Sequence, residues 1–316
     1  MSRKSLWAIA ISVLLPACLG TLPLRAANGW IPVAAPNVTL NTSGNYILTR
    51  DLTDQNNGNP VITLGAPDIT LDLNGHTISV ASGDYGIYAS GQGQSITVFN
   101  GAIVGGQIGL ADSYAAEITL HDLFFSGQSG QAVQLYGNNT TGTTVPSVEN
   151  LRVIGSGSSE GISMDYVNSA QVEHCVVTQC TDGLSAYDCN GGRFLHNTLS
   201  HCAVGVYMDH NWAVVVADNT ITDSTSYGVE MSMCTGDVVR GNNISGDRQT
   251  LNSPYGVYLA SGADNTFDWN LINDHTDPGL EISAGTANVY AFNRWANDGL
   301  GGVDAGTGNI DGGDNY

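Results

Sequence analysis

The feature that most constrains this chain is a glycine that returns every 22–29 residues, each time opening a short apolar–x–apolar run. The runs are GIYA at 86, GLAD at 109, GISM at 161, GLSA at 183, GVYM at 205, GVEM at 228, GVYL at 256 and GLEI at 279, with AVQL at 132 filling the one gap. A second marker keeps phase some 13 to 15 residues later: Asn100, Asp122, His174, Asn197, Asn219, Asn243, Asn270 and Asn293. Asn74 belongs to an earlier coil, and Asn150 to the coil with the longer insert. Self-similarity at a fixed period is the signature of a repeat architecture.

Which repeat follows from the period and from what fills it. Runs of four to six β-favouring residues alternate with Gly, Asn, Ser and Asp turns, and no segment has the 3.6-residue periodicity of an amphipathic helix. Helical repeats need 33 or more residues, and a leucine-rich repeat needs a leucine scaffold that is missing. Coils of 22–24 residues with three short strands each predict an all-β, single right-handed parallel β-helix of about ten coils, stacked about 4.8 Å apart. Stacked asparagine amides would then bond to one another and to turn backbone. The inserts Gly137–Pro146 and Asp247–Pro254 enlarge turns without breaking phase, and such loops are where a solenoid builds a groove wall. The expected organisation is a signal peptide at 1–26, an N-terminal cap and lead-in strand at 27–59, the β-helix at 60–302 and a Gly/Asp-rich tail at 303–316.

Charge narrows the partners. The 316 residues carry a formal charge of −20, and the only lysine, Lys4, lies with Arg3 and Arg25 in the first 26 residues. Removing that segment leaves six arginines against 29 acidic residues. Such a surface repels phosphate backbones and anionic lipid, which argues against nucleic-acid and electrostatic membrane binding. Arg3 and Lys4 followed by the apolar run Leu6–Leu15 have the order of a secretory signal, with cleavage expected after Ala26. LPAC at 15–18 offers the rival of lipidation at Cys18. No later segment is apolar enough to span a membrane. The expected destination is the periplasm or the exterior.

Five cysteines then remain, without a CxxC pair. Cys180 and Cys202 both lie three residues before a coil glycine on neighbouring coils, so stacking brings their Cα atoms within disulfide range. Cys189 and Cys234 share another column but are separated by the coil bearing Asn211. One disulfide, Cys180–Cys202, is expected in the oxidised protein.

Chemistry would sit on the outward positions of the glycine-led strands. Residues one and three after the glycine face inward, and residues two and four face solvent. The second-position column reads Ser163, Ser185, Tyr207, Glu230, Tyr258 and Glu281, and the fourth reads Asp165, Tyr187, Asp209 and Ser232. Asp188 and His210 follow on adjacent coils. Aromatics with carboxylates suit sugar rings, which present apolar faces and a rim of hydroxyls. Equally, tyrosine is a good strand residue and acids keep a parallel sheet soluble. On the glycan reading, Tyr187, Tyr207, Tyr258, Glu281, Asp165 and Asp188 bind substrate. Glu230 and Asp209, on a diagonal of about 8 Å, have inverting spacing beside His210. Glu160 and Asp182 each precede a coil glycine and stack at a distance closer to retaining spacing. That pair fits an acid/base role, a Ca²⁺ ion or a solvated turn alike. No cofactor is required, and Ca²⁺ is the one the pair would take.

ITLDLNGHTIS at 69–79 and ITVFNGAIVGG at 96–106 resemble the opening coils of pectate-lyase-like β-helix proteins. More narrowly they resemble the carbohydrate-binding/sugar-hydrolysis and NosD-like bacterial families. FNRWANDG at 292–299 with GGDNY at 312–316 resembles a NosD-type end, without that family's Trp after the Tyr. The resemblance covers roughly residues 44–316 and implies the fold, which lyases, hydrolases, epimerases and non-enzymes share. TDG at 181–183 is similar to the NTDG motif of polygalacturonases and would put Asp182 at a catalytic position, but AVG stands where paired aspartates belong and no GHG follows. The NosD likeness implies copper delivery, for which His174, His196, His201, His210 and His275 with Met208, Met231 and Met233 are the donors to weigh. Three classes stay open: an exported protein that binds or cleaves polysaccharide, a non-catalytic adhesive solenoid, and a periplasmic metal-maturation accessory.

Overall fold

The computed structural model describes residues 29–54, 58–89, 93, 95–115, 117–137, 145–246 and 254–316. The signal segment with Cys18, and most of both inserts, lie outside the described residues. Every described strand pairs in parallel, and the strands stack as a β-solenoid of about 11 turns. One sheet holds the twelve strands that include the glycine-led runs, from Val38–Leu40 through Glu160–Asp165, Asp182–Tyr187, Val204–Asp209 and Tyr227–Ser232 to Gly302–Asp304. The rest of each coil contributes two strands to a second sheet, as Asn190–Leu195 and Thr198–Ser200 do after Asp182–Tyr187. The parallel ladder starts at Ile31 and runs to Gly313, so strands inside 27–59 and 303–316 also stack on the solenoid.

The alternation read from sequence positions the core. Ile162, Leu184, Val206, Val229, Val257 and Leu280 stack in one inward column, and Met164, Ala186, Met208, Met231, Leu259 and Ile282 in the next. All twelve are 0–2% exposed. The coil glycine permits a close approach: a Cβ on Gly205 would fall against Ile221 Cγ2 and the Gly228 carbonyl oxygen. Alanine there must push neighbouring coils apart.

The asparagine marker resolves into two adjacent columns. Asn100, Asp122, Asn150 and His174 occupy a corner in left-handed conformation, with φ of 54–62°. From Asn197 onward the marker slips one residue, into a ladder of the buried Asn197, Asn219, Asn242, Asn270 and Asn293 that ends at the half-buried Asn315. Each amide donates to the next at 2.9–3.3 Å. The ladder therefore uses Asn242 where Asn243 was expected, and Cys175, not His174, stands at its head, its N–H donating to Asn197 Oδ1 at 2.9 Å. A second ladder at the next corner comprises Asp237, Asn265, Asn288 and Asn309.

The five described cysteines are buried free thiols. Thr178 pairs with Ser200, which brings Cys180 and Cys202 onto neighbouring coils with their side chains in contact. That contact, and then burial, push the Cys180 thiol far up, while the same contact pulls the Cys202 thiol down. Oxidation followed by non-reducing peptide mapping is expected to yield Cys180–Cys202. A Cys189–Cys234 bridge instead would contradict the register, because Asn211 lies between those two.

Candidate functional site

The outer face of the twelve-stranded sheet gathers the expected residues in the expected register. Ser163, Ser185, Tyr207, Glu230, Tyr258 and Glu281 form one continuous column, and Tyr136, Asp165, Tyr187, Asp209 and Ser232 form a second. Along the edge before the glycine, Gln131, Glu160, Asp182, Val204, Tyr227 and Tyr255 align. Glu160 and Asp182 thus sit one strand step apart, and Glu160 accepts a hydrogen bond from Gln131 Nε2 at 3.3 Å.

Two tyrosine arrays border the carboxylates. Tyr114, Tyr136, Tyr166, Tyr187 and His210 make an edge-on run with successive centroids 5.4–5.7 Å apart. Tyr227 stacks on Tyr255 at 5.4 Å and on Tyr258 at 5.1 Å. Tyr114, Tyr136, Tyr166, Tyr227 and Tyr255 were missed from sequence. The signal for three of them was available: Tyr136 is a fourth-position residue, and Tyr227 and Tyr255 precede the coil glycine as Glu160 and Asp182 do.

Three acids on this face, Asp165, Asp182 and Glu230, hold their protons more tightly than usual. Burial pushes Asp182 up to about 6, with Glu160 and Glu230 adding repulsion. Burial and then Glu160 push Asp165 up to about 6. Glu230 is raised first by burial and then by Asp209, its diagonal neighbour. His210 does not lean on Asp188, as its column suggested. Its Nδ1 lies 2.9 Å from Asp209 Oδ1, and its ring sits 5.7 Å from the Tyr187 ring of the neighbouring coil. A cleft of about 520 Å³ continues the face toward the N-terminus, lined by Thr63, Asp84, Tyr85, Tyr88 and Gln107.

With this geometry in hand, comparison with known proteins places the chain. The family model described as NosD, periplasmic copper-binding protein, matches residues 137–311. The chain belongs to the NosD family. Among solved structures, this NosD-family chain is similar to a variant of the periplasmic alginate epimerase AlgG, with 10% identity, a TM-score of 0.57 and coverage of 89% of this chain and 83% of that one. It is also similar to XylC in complex with xylose, with 12% identity, a TM-score of 0.53 and coverage of 81% and 54%. The Dettilon tailspike protein gp208 matches at 12% identity and a TM-score of 0.48 over 80% of this chain. The chain spans 60% of that tailspike's length. At these identities the likeness establishes the parallel β-helix and nothing finer. No curated protein sequence gives a significant match.

The family's description calls for a test of copper donors. His174 and His196 stack at an exposed corner, centroids 5.4 Å apart. Met208, Met231 and every described thiol are buried, and burial drives Cys175 and Cys189 up to about 12, whereas Met233 is 56% exposed. Protonated thiols and core thioethers are poor ligands. Among the described residues no three His, Cys, Asp or Glu converge on one point. The donor set does not fit a resident copper ion, and among the described residues no third carboxylate, histidine or cysteine joins the Glu160/Asp182 pair in a group that could hold Ca²⁺.

Proposed function

We propose that this NosD-family protein is exported to the periplasm and binds an extended polysaccharide along the outer face of the twelve-stranded sheet. Residues 1–26 would direct export, and the family's description as periplasmic supports that destination. One observation carries the reading: carboxylates with raised pKa lie between two tyrosine arrays on a single continuous face. Tyrosines offer ring faces to the C–H faces of pyranoses, while Ser163, Ser185 and the acids take hydroxyls. From Thr63 to Glu281 the second-position column spans nine strand steps, about 43 Å, enough for a chain of many sugars. The fold neighbours named for alginate and xylose agree with this reading without carrying it.

The cleavage half rests on Glu230 and Asp209. A carboxyl whose pKa is raised by burial holds a proton that it can give to a glycosidic oxygen, while a carboxylate across a gap draws the proton from an attacking water. Glu230 is the acid and Asp209 the base, and the diagonal spacing of about 8 Å implies inversion at the anomeric carbon. Tyr207→Ala with Tyr258→Ala is expected to weaken binding of a polysaccharide selected on a glycan array by at least about tenfold, with thermal unfolding unchanged. Unchanged binding would remove the groove. Glu230→Gln and Asp209→Asn should each lower release of reducing ends by about 100-fold or more while binding persists. Turnover retained in both would leave a binding surface only.

A further inference from the structure

The corner that holds Asn150 and His174 continues through His196, Asp218, Gly241, Trp269, Phe292 and Asp314, and each of these has φ between 54° and 63°. In this left-handed conformation glycine, asparagine and aspartate are cheap, and a bulky ring is the most strained choice. Burial does not compensate the strain at two of these positions: Trp269 is 61% exposed and Phe292 38%. Their rings lie parallel, centroids 4.6 Å apart with planes at 13°, as a flat two-ring wall facing water. That wall borders an open groove of about 460 Å³ whose lining also includes Leu271, Arg294 and Tyr316, with Asp314 following Phe292 along the corner.

Arg294 gives the groove its chemistry. Earlier in the same region, Arg240 is bound by Asp268 through two hydrogen bonds of 2.8 Å. The Arg294 guanidinium has no ion pair, hydrogen bond or ring contact among the described residues. A free guanidinium in a chain of net charge −20 is a specific invitation to an anion, and its fork matches a carboxylate. An aromatic wall, a free guanidinium and a carboxylate along the groove complement a pyranose with an apolar face, a carboxylate substituent and hydroxyls.

We propose that the Trp269–Phe292 wall with Arg294 is a second carbohydrate site, distinct from the tyrosine face, that binds a single uronate residue of a polysaccharide. The protein's overall charge opposes a dense polyanion, so selectivity for one acidic sugar comes from the short-range contact with Arg294. Isothermal titration calorimetry with two matched pairs tests this: β-1,4-tetramannuronate against β-1,4-mannotetraose, and the cellulose-derived tetraglucuronate against cellotetraose. At least one acidic member is expected to bind tenfold or more tighter than its neutral partner. Arg294→Gln should erase that preference. Trp269→Asn should lower affinity at least tenfold while unfolding at the same or a higher temperature, since asparagine relieves the corner strain. Trp212→Ala, at another exposed tryptophan, should bind as wild type. Binding of neither pair, equal affinity within both pairs, or full affinity in Trp269→Asn would overturn the proposal. So would self-association that Trp269→Asn abolishes, which would make the wall a protein interface. Because Tyr207 and Tyr258 lie on a different sheet, their double variant should leave these titrations unchanged, separating failure here from failure of the main face.

Discussion

Asp112→Asn should flatten the pH dependence of stability between pH 5 and pH 8, where the wild-type protein loses about 2–3 kcal/mol through this one residue. Asp112 is the third residue after Gly109, so its side chain faces the core, and it is 1% exposed. It is stacked between Ala89 and Leu135 of the adjacent coils. The Ala115 N–H reaches both carboxyl oxygens at 3.3 Å, which is weak compensation for a buried charge. Burial therefore pushes the group up to about 7 from 3.8, against the opposing pull of that N–H. The sign follows from proton counting. Between about pH 4 and pH 7 the folded protein holds a proton that the unfolded chain has released, so stability falls as pH rises through this window. Asp182, Asp165 and Asp237, each raised to about 6, add slopes of the same sign. The informative quantity is therefore the difference between variant and wild type in denaturant midpoint at pH 5 and at pH 8. An asparagine amide shifts the level of the curve but carries no titration. Parallel curves for the two proteins would mean that Asp112 is solvated or paired, and the buried-carboxylate argument would be lost.

The same residue shows what was legible and what was not. The period placed each glycine-led strand in register, and with it the columns of Tyr207, Glu230, Tyr258 and Glu281, because a one-residue slip would turn a whole apolar set to water. By that rule Asp112 had to point inward, yet GLAD read as a repeat marker and its acid passed unnoticed. The asparagine marker blurred for a different reason. Left-handed corner and amide ladder are neighbours in sequence, and asparagine serves both, so composition alone merges Asn150 with Asn197. Trp269 and Phe292 were invisible because their backbone conformation is imposed by closure of the coil against their own propensity. His210's pairing with Asp209 turned on a side-chain direction that the strand period does not specify beyond the strand's end.

Asn219→Ala is expected to cost on the order of 4 kcal/mol, while Asn243→Ala costs less than about 0.5 kcal/mol. The two asparagines occupy neighbouring coils, and sequence reading put them in one column, but only Asn219 belongs to the buried ladder. It is 1% exposed. Its Oδ1 accepts from the Asn197 N–H at 2.8 Å and from Asn197 Nδ2 at 3.1 Å. Its Nδ2 donates to the Phe194 carbonyl at 2.8 Å and to Asn242 Oδ1 at 3.0 Å. Alanine removes all four bonds at once and strands a backbone N–H and a carbonyl in an interior that excludes water, each worth about 1–3 kcal/mol. It also opens a gap that the rigid stack closes poorly. Asn243 is exposed, and its contribution is the backbone bond from its N–H to the Asn219 carbonyl at 2.9 Å, which alanine keeps. Asn219→Asp separates bonding from packing. The acid keeps the acceptor for Asn197 and loses both donors, and its nearest natural parallel is Asp237, which accepts from the Val214 N–H at 2.7 Å with a pKa pushed up to about 6 by burial. The aspartate variant should therefore be closer to wild type at pH 5 than at pH 8. Denaturant midpoints at both pH values decide the matter. Equal losses in Asn219→Ala and Asn243→Ala would show that the ladder contributes no more than an ordinary turn residue.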